Sequence, residues 1–292
     1  MQLSVIDFNA RFLQDYLQWS QGHEELSKDE EKLEEYYYSL YDEWLESPKE
    51  WLGGKSPMEY FDEVGDAQMY VSAMIEYLLE EVELPDPLLH CIFEYREEIY
   101  PIFLGILHAD NLADKQVTSE QLLEVQGHIV SLIEQMQMPH PYERYLNILR
   151  DLTEESLFLE EATAALSQAG EAIKDQVFEA YATAEGYAKK CMLDLISYYP
   201  GDPKALEILL DEFHAPEADL AFLAECLGRL GDSGALESLR AVIADDSLEY
   251  YEFRELRNAI EAISGEEVPD KDFSGDPLYD YLATAQEENG VV

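Results

Sequence analysis

Along the second half of the chain, apolar side chains return with the period of an amphipathic helix, and the helices themselves return with a period near 30 residues. Ala205, Leu206, Leu209 and Leu210 stand at offsets of 0, 1, 4 and 5, and Leu220, Leu223, Ala224 and Leu227 at 0, 3, 4 and 7. Each set lays one apolar stripe along one helix face. A second pair follows, with Ala235, Leu236, Leu239, Val242 and Ile243, then Phe253, Leu256, Ala259, Ile260 and Ile263. Residues 201–210, GDPKALEILL, and 231–240, GDSGALESLR, share Gly, Asp, Ala, Leu, Glu and Leu at an offset of 30. Glycines stand at 170, 201, 231 and 265, at spacings of 31, 30 and 34 by subtraction, each after an amphipathic stretch. Glycine suits these ends because the left-handed conformation that commonly stops a helix carries no Cβ penalty for it. Units of two helices, none able to bury its apolar face alone, predict a stacked helical array.

The first half is helical in pattern without a clean period. Asp7–Trp19 reads as one amphipathic helix and Lys28–Glu46 as a second, with Leu33, Tyr37, Leu40, Tyr41, Trp44 and Leu45 on one face. Ser56-Pro57 with Glu59 marks a helix start, Ser as cap and Pro at the first position. Helices are expected over Met69–Val82, Leu88–Tyr100 with a Pro101-interrupted continuation to Leu107, Ser119–Met136 and Tyr142–Leu152. QMPHP, residues 137–141, is the expected boundary between the halves. No alternating strand pattern with hairpin turns occurs. The expected architecture is all-α: an irregular N-terminal helical region (1–140), a repeat region (141–265), and a short acidic, largely flexible tail (266–292). Within the tail, Phe273, Leu278, Tyr281 and Leu282 are expected to form one anchored turn over the last repeat.

The stretch LAECLGRLGDSGALESLRAVIADDSLEYYEFRELRNAIEAISG, 223–265, resembles a HEAT-like repeat of the kind found in phycobilisome-lyase-related and bacterial scaffold proteins. The shared features are a helix ending Leu-Gly-x-Leu-Gly-Asp, then Ala-Leu-x-x-Leu, then a helix ending Ala-Ile-x-x-Ile-x-Gly. The resemblance implies an α-α superhelix over about 110 of the 292 residues. It bears on architecture rather than activity, because the matching residues are those that turn and pack. Through the bilin-attachment relatives it also implies a second reading, an accessory or lyase-like enzyme.

Charge sets the expected partner. The 292 residues carry 64 Asp and Glu against 18 Lys and Arg, a net charge of −46, with 47% hydrophobic content to fill a core. Such a surface repels phosphate backbones and anionic lipid, so neither nucleic acid nor membrane is expected, whereas a basic protein or peptide segment is attracted. Cys91, Cys191 and Cys226 are far apart in apolar contexts and read as buried thiols of a reducing compartment. The early Asp7, Asn9 and Arg11 break any leader-like apolar run, and the longest uncharged run, Ile99–Leu107, is far short of a membrane span. A cytoplasmic protein is expected.

No catalytic constellation stands out. Gly53-Gly54-Lys55-Ser56 ends like a phosphate-binding loop, but Lys49 stands where the first glycine is required, and the residues before it read as a short helix. His23-Glu24-Glu25-Leu26-Ser27 has Ser where a zinc-hydrolase helix needs its second His. Glu124 with His128, one turn apart, and His108 with Asp110 are the remaining candidate ligand pairs. The loop acids Asp245, Asp246, Asp270, Asp272 and Asp276 lack ordered calcium-loop spacing, which leaves weak divalent-cation binding as a third reading. No cofactor is implied. Among the tyrosines, Tyr36, Tyr37 and Tyr41 fall on the core face of their helix and Tyr38 points away; Tyr250 and Tyr251 open the last repeat helix amid acids. Tyr38, Tyr250 and Tyr251 are therefore the candidate partner contacts. The leading expectation is a non-enzymatic interaction scaffold or regulator that uses an acidic helical-repeat surface to bind a basic protein segment.

Overall fold

The computed structural model describes residues 3–22, 30–112 and 115–288. The described chain is all-α, with no β-strand and only two isolated bridges, Lys49 with Lys55 and Leu112 with Lys115. It divides into two compact units, residues 1–141 with 156–161, and residues 142–155 with 162–292.

The first unit contains α1 (Phe8–Gln21), α2 (Glu30–Glu46), α3 (Pro57–Asp62), α4 (Ala67–Leu79), α5 (Asp86–Glu94), α6 (Arg96–Leu107) and α7 (Ser119–Gln135). Its amino-terminal corner is aromatic: the Phe12 ring of α1 lies 5.1 Å from Tyr37, 4.9 Å from Tyr41 and 5.7 Å from Trp44, all on α2. These edge-to-face contacts follow from ring quadrupoles packed without room to stack. Buried Tyr77 ties the segment before α1 to α4, its hydroxyl donating to Ile6 O (3.0 Å) and accepting from Ile6 N (3.1 Å). The break in the α5–α6 segment falls at Tyr95, not at Pro101 as the sequence suggests. Tyr95 leaves helical geometry at φ −93° and ψ 20°, with its ring 5.3 Å from that of Tyr70, while Pro101 is accommodated inside α6.

The second unit holds α8 (Tyr142–Leu149), α10 (Lys174–Tyr181), α11 (Gly186–Ile196), α12 (Pro203–Phe213), α13 (Leu220–Leu230), α14 (Leu236–Ile243), α15 (Tyr250–Ser264) and α16 (Pro277–Glu288); α9 (Leu157–Ala169) begins in the first unit and continues into the second. From α10 onward each helix packs on helices close to it in sequence, a solenoid-like order, and the α13–α15 pair is the most extensive. The 30-residue self-match has a direct structural meaning. Gly201 and Gly231 take φ of 79° and 72°, and the aspartate after each caps the next turn: Asp202 accepts from Lys204 N (2.9 Å) and Ala205 N (3.3 Å), Asp232 from Gly234 N (2.8 Å). The shared Ala205/Ala235 and Leu209/Leu239 are fully buried. Four of the six matched positions are thus one left-handed turn, one cap and two core positions; Leu206/Leu236 are part-buried and Glu207/Glu237 exposed.

The tail carries more structure than its composition suggests. Phe273 packs on Tyr250 (5.5 Å), Phe253 (5.0 Å) and Tyr279 (6.2 Å), and Asp276 caps both Tyr250 N (3.1 Å) and the start of α16 at Leu278 N (2.9 Å). Tyr279, rather than the expected Tyr281, makes the contact. Two residues apart on a helix lie on nearly opposite faces, and Tyr281 is 69% exposed.

Candidate functional site

The three tyrosines singled out by sequence meet different fates. Tyr38, on α2 in the first unit, is 61% exposed. Tyr251, at the start of α15 in the second, is 45% exposed and carries the Arg254 guanidinium 5.1 Å over its ring. Tyr250 is half-buried in the aromatic anchorage of the tail, so its ring faces this chain. Tyr36, expected on the core face, is exposed at the edge of that stripe, 6.0 Å from Trp19.

The motifs that mimic chemistry are occupied by structural bonds. In the Gly53-Gly54-Lys55-Ser56 turn, Gly54 N donates to Lys49 O (2.9 Å), Lys55 pairs with Glu63, and buried Ser56 forms a reciprocal capping box with Glu59. No row of free amides remains to cradle a phosphate. His108 Nδ1 lies 2.7 Å from Leu104 O, within its own helix. Among the loop acids, Asp245 accepts from Ser247 N, Asp246 holds Lys271, Asp270 holds Arg257 and Asp272 accepts from Ser274. Among the described residues no group of three or more His, Cys, Asp or Glu is arranged to hold a metal; His23 lies outside the described residues. All three cysteines are buried and unpaired. Burial pushes the thiols of Cys91 and Cys191 up to about 11 and that of Cys226 higher still, which keeps them protonated and poor nucleophiles.

Eight of the eleven lysines and arginines of the second unit are held by carboxylates of the same unit, while Lys204 lies over the Phe178 ring (4.4 Å) and Arg150 bonds Asn147. Lys174 binds Asp202 (3.1 Å), Lys189 binds Glu212 (2.6 Å), Lys190 binds Asp219 (2.9 Å) and Arg240 binds Glu266 (2.8 Å). Arg254 binds Glu255, Arg257 binds Glu261 and Asp270, and Lys271 binds Asp246. Arg229 on α13 reaches back past α12 to Asp194 Oδ1 (2.5 Å) and Ser197 Oγ (2.9 Å) on α11, with Tyr198 under its guanidinium at 4.6 Å. Each such pair is neutral, and the acid excess of the chain, 64 Asp and Glu against 18 Lys and Arg, lies in the remaining carboxylates.

The first unit carries a cleft of about 860 Å³. Its floor is apolar: Leu78 and Leu79 at the end of α4, Val82 and Leu84 in the following loop, Leu89 of α5 and Val125 of α7. Its rim is acidic, with Glu81, Glu83, Glu120 and Glu124 beside His128, and no lysine or arginine is among the described residues that line it. The Glu124–His128 pair proposed from spacing lies here, 3.6 Å apart. At the α7 amino terminus, ordinarily attractive to anions, a capping box takes two donors: Gln121 N donates to Thr118 Oγ1 (3.1 Å) and Thr118 N to Gln121 Oε1 (3.0 Å). Glu81 stands on the lip in the left-handed region, φ 55°, where Glu81 N bonds Leu78 O (3.1 Å) and Val82 N bonds Tyr77 O (3.0 Å) in a Schellman end to α4. Apart from the Glu124–His128 spacing, sequence reading passed over this cleft. Its one visible signal is that α4 is apolar on most of its circumference, more than one buried face requires.

The fold and cleft define an all-α protein with solenoid-like stacking in its second unit and an apolar, carboxylate-rimmed depression in its first. No protein-family model matches the chain, and neither a curated protein nor a solved structure matches it. No helix among the described residues is long and apolar enough to cross a membrane.

Proposed function

We propose that this chain is a non-enzymatic interaction protein, with HEAT-like repeats in its second unit, that holds a basic segment of another protein against its carboxylate surface. The observation that supports this reading most directly is the net charge of −46, with eight of the second unit's lysines and arginines already paired with carboxylates of their own unit. An uncompensated field of that sign draws cationic partners and repels polyanions. The internal bonding of the loop acids and the buried, protonated thiols favour binding over chemistry.

Fluorescence anisotropy with a labelled lysine-rich peptide tests this. Binding is expected at about 0.01 M salt, where the screening length is near 30 Å, and a steep weakening by about 0.15 M, where it is near 8 Å. Equal binding of an uncharged peptide of the same length, or no binding of the lysine-rich one at low salt, overturns the proposal.

A further inference from the structure

We infer that the cleft over Leu79 is the seat for that basic segment and that its occupant is a cationic amphipathic helix. The inference rests on the charge reading above and adds a place and a shape to it. The place follows from two properties found together. The floor offers part-buried Leu78, Leu79, Val82 and Leu89 to an apolar ligand face, and the carboxylates of Glu81, Glu83, Glu120 and Glu124 stand around it, with Asn9 donating to Glu83, His128 beside Glu124, and no lysine or arginine among the described lining residues. An apolar ligand without charge leaves those carboxylates unmatched, and a cationic ligand without an apolar row leaves the floor wet. A segment with leucine-like side chains on one face and Lys or Arg on its flanks satisfies both.

The shape follows from the backbone around the cleft. The lining residues belong to helices, to capped helix ends and to the short loop between α4 and α5, and no strand occurs among the described residues, so there is no open strand edge for an extended peptide to extend. Two of the α7 amino-terminal donors, Thr118 N and Gln121 N, are taken by the capping box, so the ligand backbone has fewer donors to gain there. A ligand that satisfies its own backbone hydrogen bonds is therefore favoured, with anchors spaced at i, i+3 or i+4, and i+7.

Two peptides of equal length and charge test this on the full chain: one with Leu and Lys segregated on opposite faces of a helix, one with the same composition scrambled. The segregated peptide is expected to bind at least about tenfold tighter, equivalent to about 1.4 kcal/mol, and to gain helical circular dichroism on binding. Glu120→Lys with Glu124→Lys, and separately Leu79→Asp, are expected to remove that preference in chains whose melting transitions remain cooperative. Amide exchange is expected to slow over residues 78–89 and 118–128. If both peptides bind equally and the variants change nothing, the cleft assignment falls while the charge reading stands. If neither binds at low salt, both fall. Selective binding that the variants and exchange pattern leave untouched places the site elsewhere and overturns the inference.

Discussion

Gly228 of α13 lies directly against Ala259 of α15: a Cβ built on Gly228 would stand 3.0 Å from Ala259 Cα and 3.1 Å from Ala259 Cβ. This contact sits in the most extensive helix pair of the second unit, where each helix presents a small residue at the crossing. Backbones meet there because neither residue carries bulk. The glycine in the Leu-Gly-x-Leu-Gly-Asp pattern is thus a packing residue, while the following Gly231 is a turn residue with φ 72°.

Gly228→Leu is expected to destabilise the chain by about 1–3 kcal/mol, the usual cost of overpacking. Gly105→Ala is expected to do the opposite, because Gly105 is an exposed α6 residue with nothing within 4 Å of an added Cβ; the gain is about 0.5–1 kcal/mol. Urea melts of the two variants beside the parent decide this, and a Gly228→Leu chain as stable as the parent or more so would show that the α13–α15 approach is not close.

Glu81→Gly is expected to stabilise. The left-handed conformation costs a non-glycine residue about 1–2 kcal/mol, and glycine returns up to about 1 kcal/mol of that as unfolded-chain entropy, leaving a gain of about 0.5 kcal/mol. The same change removes a carboxylate from the cleft rim, so affinity for the segregated peptide is expected to fall as the melting temperature rises. A loss of stability would contradict the Schellman geometry at Glu81.

Asp202, Glu212 and Asp219 give the second unit an acid limit. Burial works to raise each carboxyl, but it is outweighed at Asp202 by Lys174 and the amides of Lys204 and Ala205, at Glu212 by Lys189 and Tyr181, and at Asp219 by Lys190 and the amide of Phe222. All three therefore titrate below their unfolded values of about 4. Carboxyls so depressed contribute stability that is present above those unfolded values and is lost as pH falls through the folded ones. Relief of self-repulsion as pH approaches the pI of 4.1 acts the other way, so the comparison must be between chains. Below about pH 4 the melting temperature of the parent is expected to fall more steeply than that of Asp202→Asn/Asp219→Asn; parallel curves would show that these pairs add nothing.

Much of the fold was legible because its signals are local. Ser56 caps where its type and spacing say it should, and Gly201, Gly231 and Gly265 take the left-handed turn that follows or ends a helix. The misplacements arise where a distant contact outweighs a local one. Pro101 looked like the break, yet the helix parts at Tyr95, which faces Tyr70. Tyr250 looked like an exposed anchor, yet Phe273 and Tyr279 close over it from the tail.

Helical periodicity, capping chemistry and net charge are properties of neighbours along the chain or of the whole composition, so the sequence by itself determined the all-α class, the 30-residue pair in the second half and the sign of the field. Whether an apolar face is covered depends on which other face reaches it. Only the tertiary structure decided that Leu78, Leu79 and Leu89 come together only partly covered beside Glu81, Glu120 and Glu124, and that Phe273 and Tyr279 of the acidic tail pack on α15. Residues forty positions apart meet there because α5 and α7 both pack on α4, and no local pattern in the chain records that meeting.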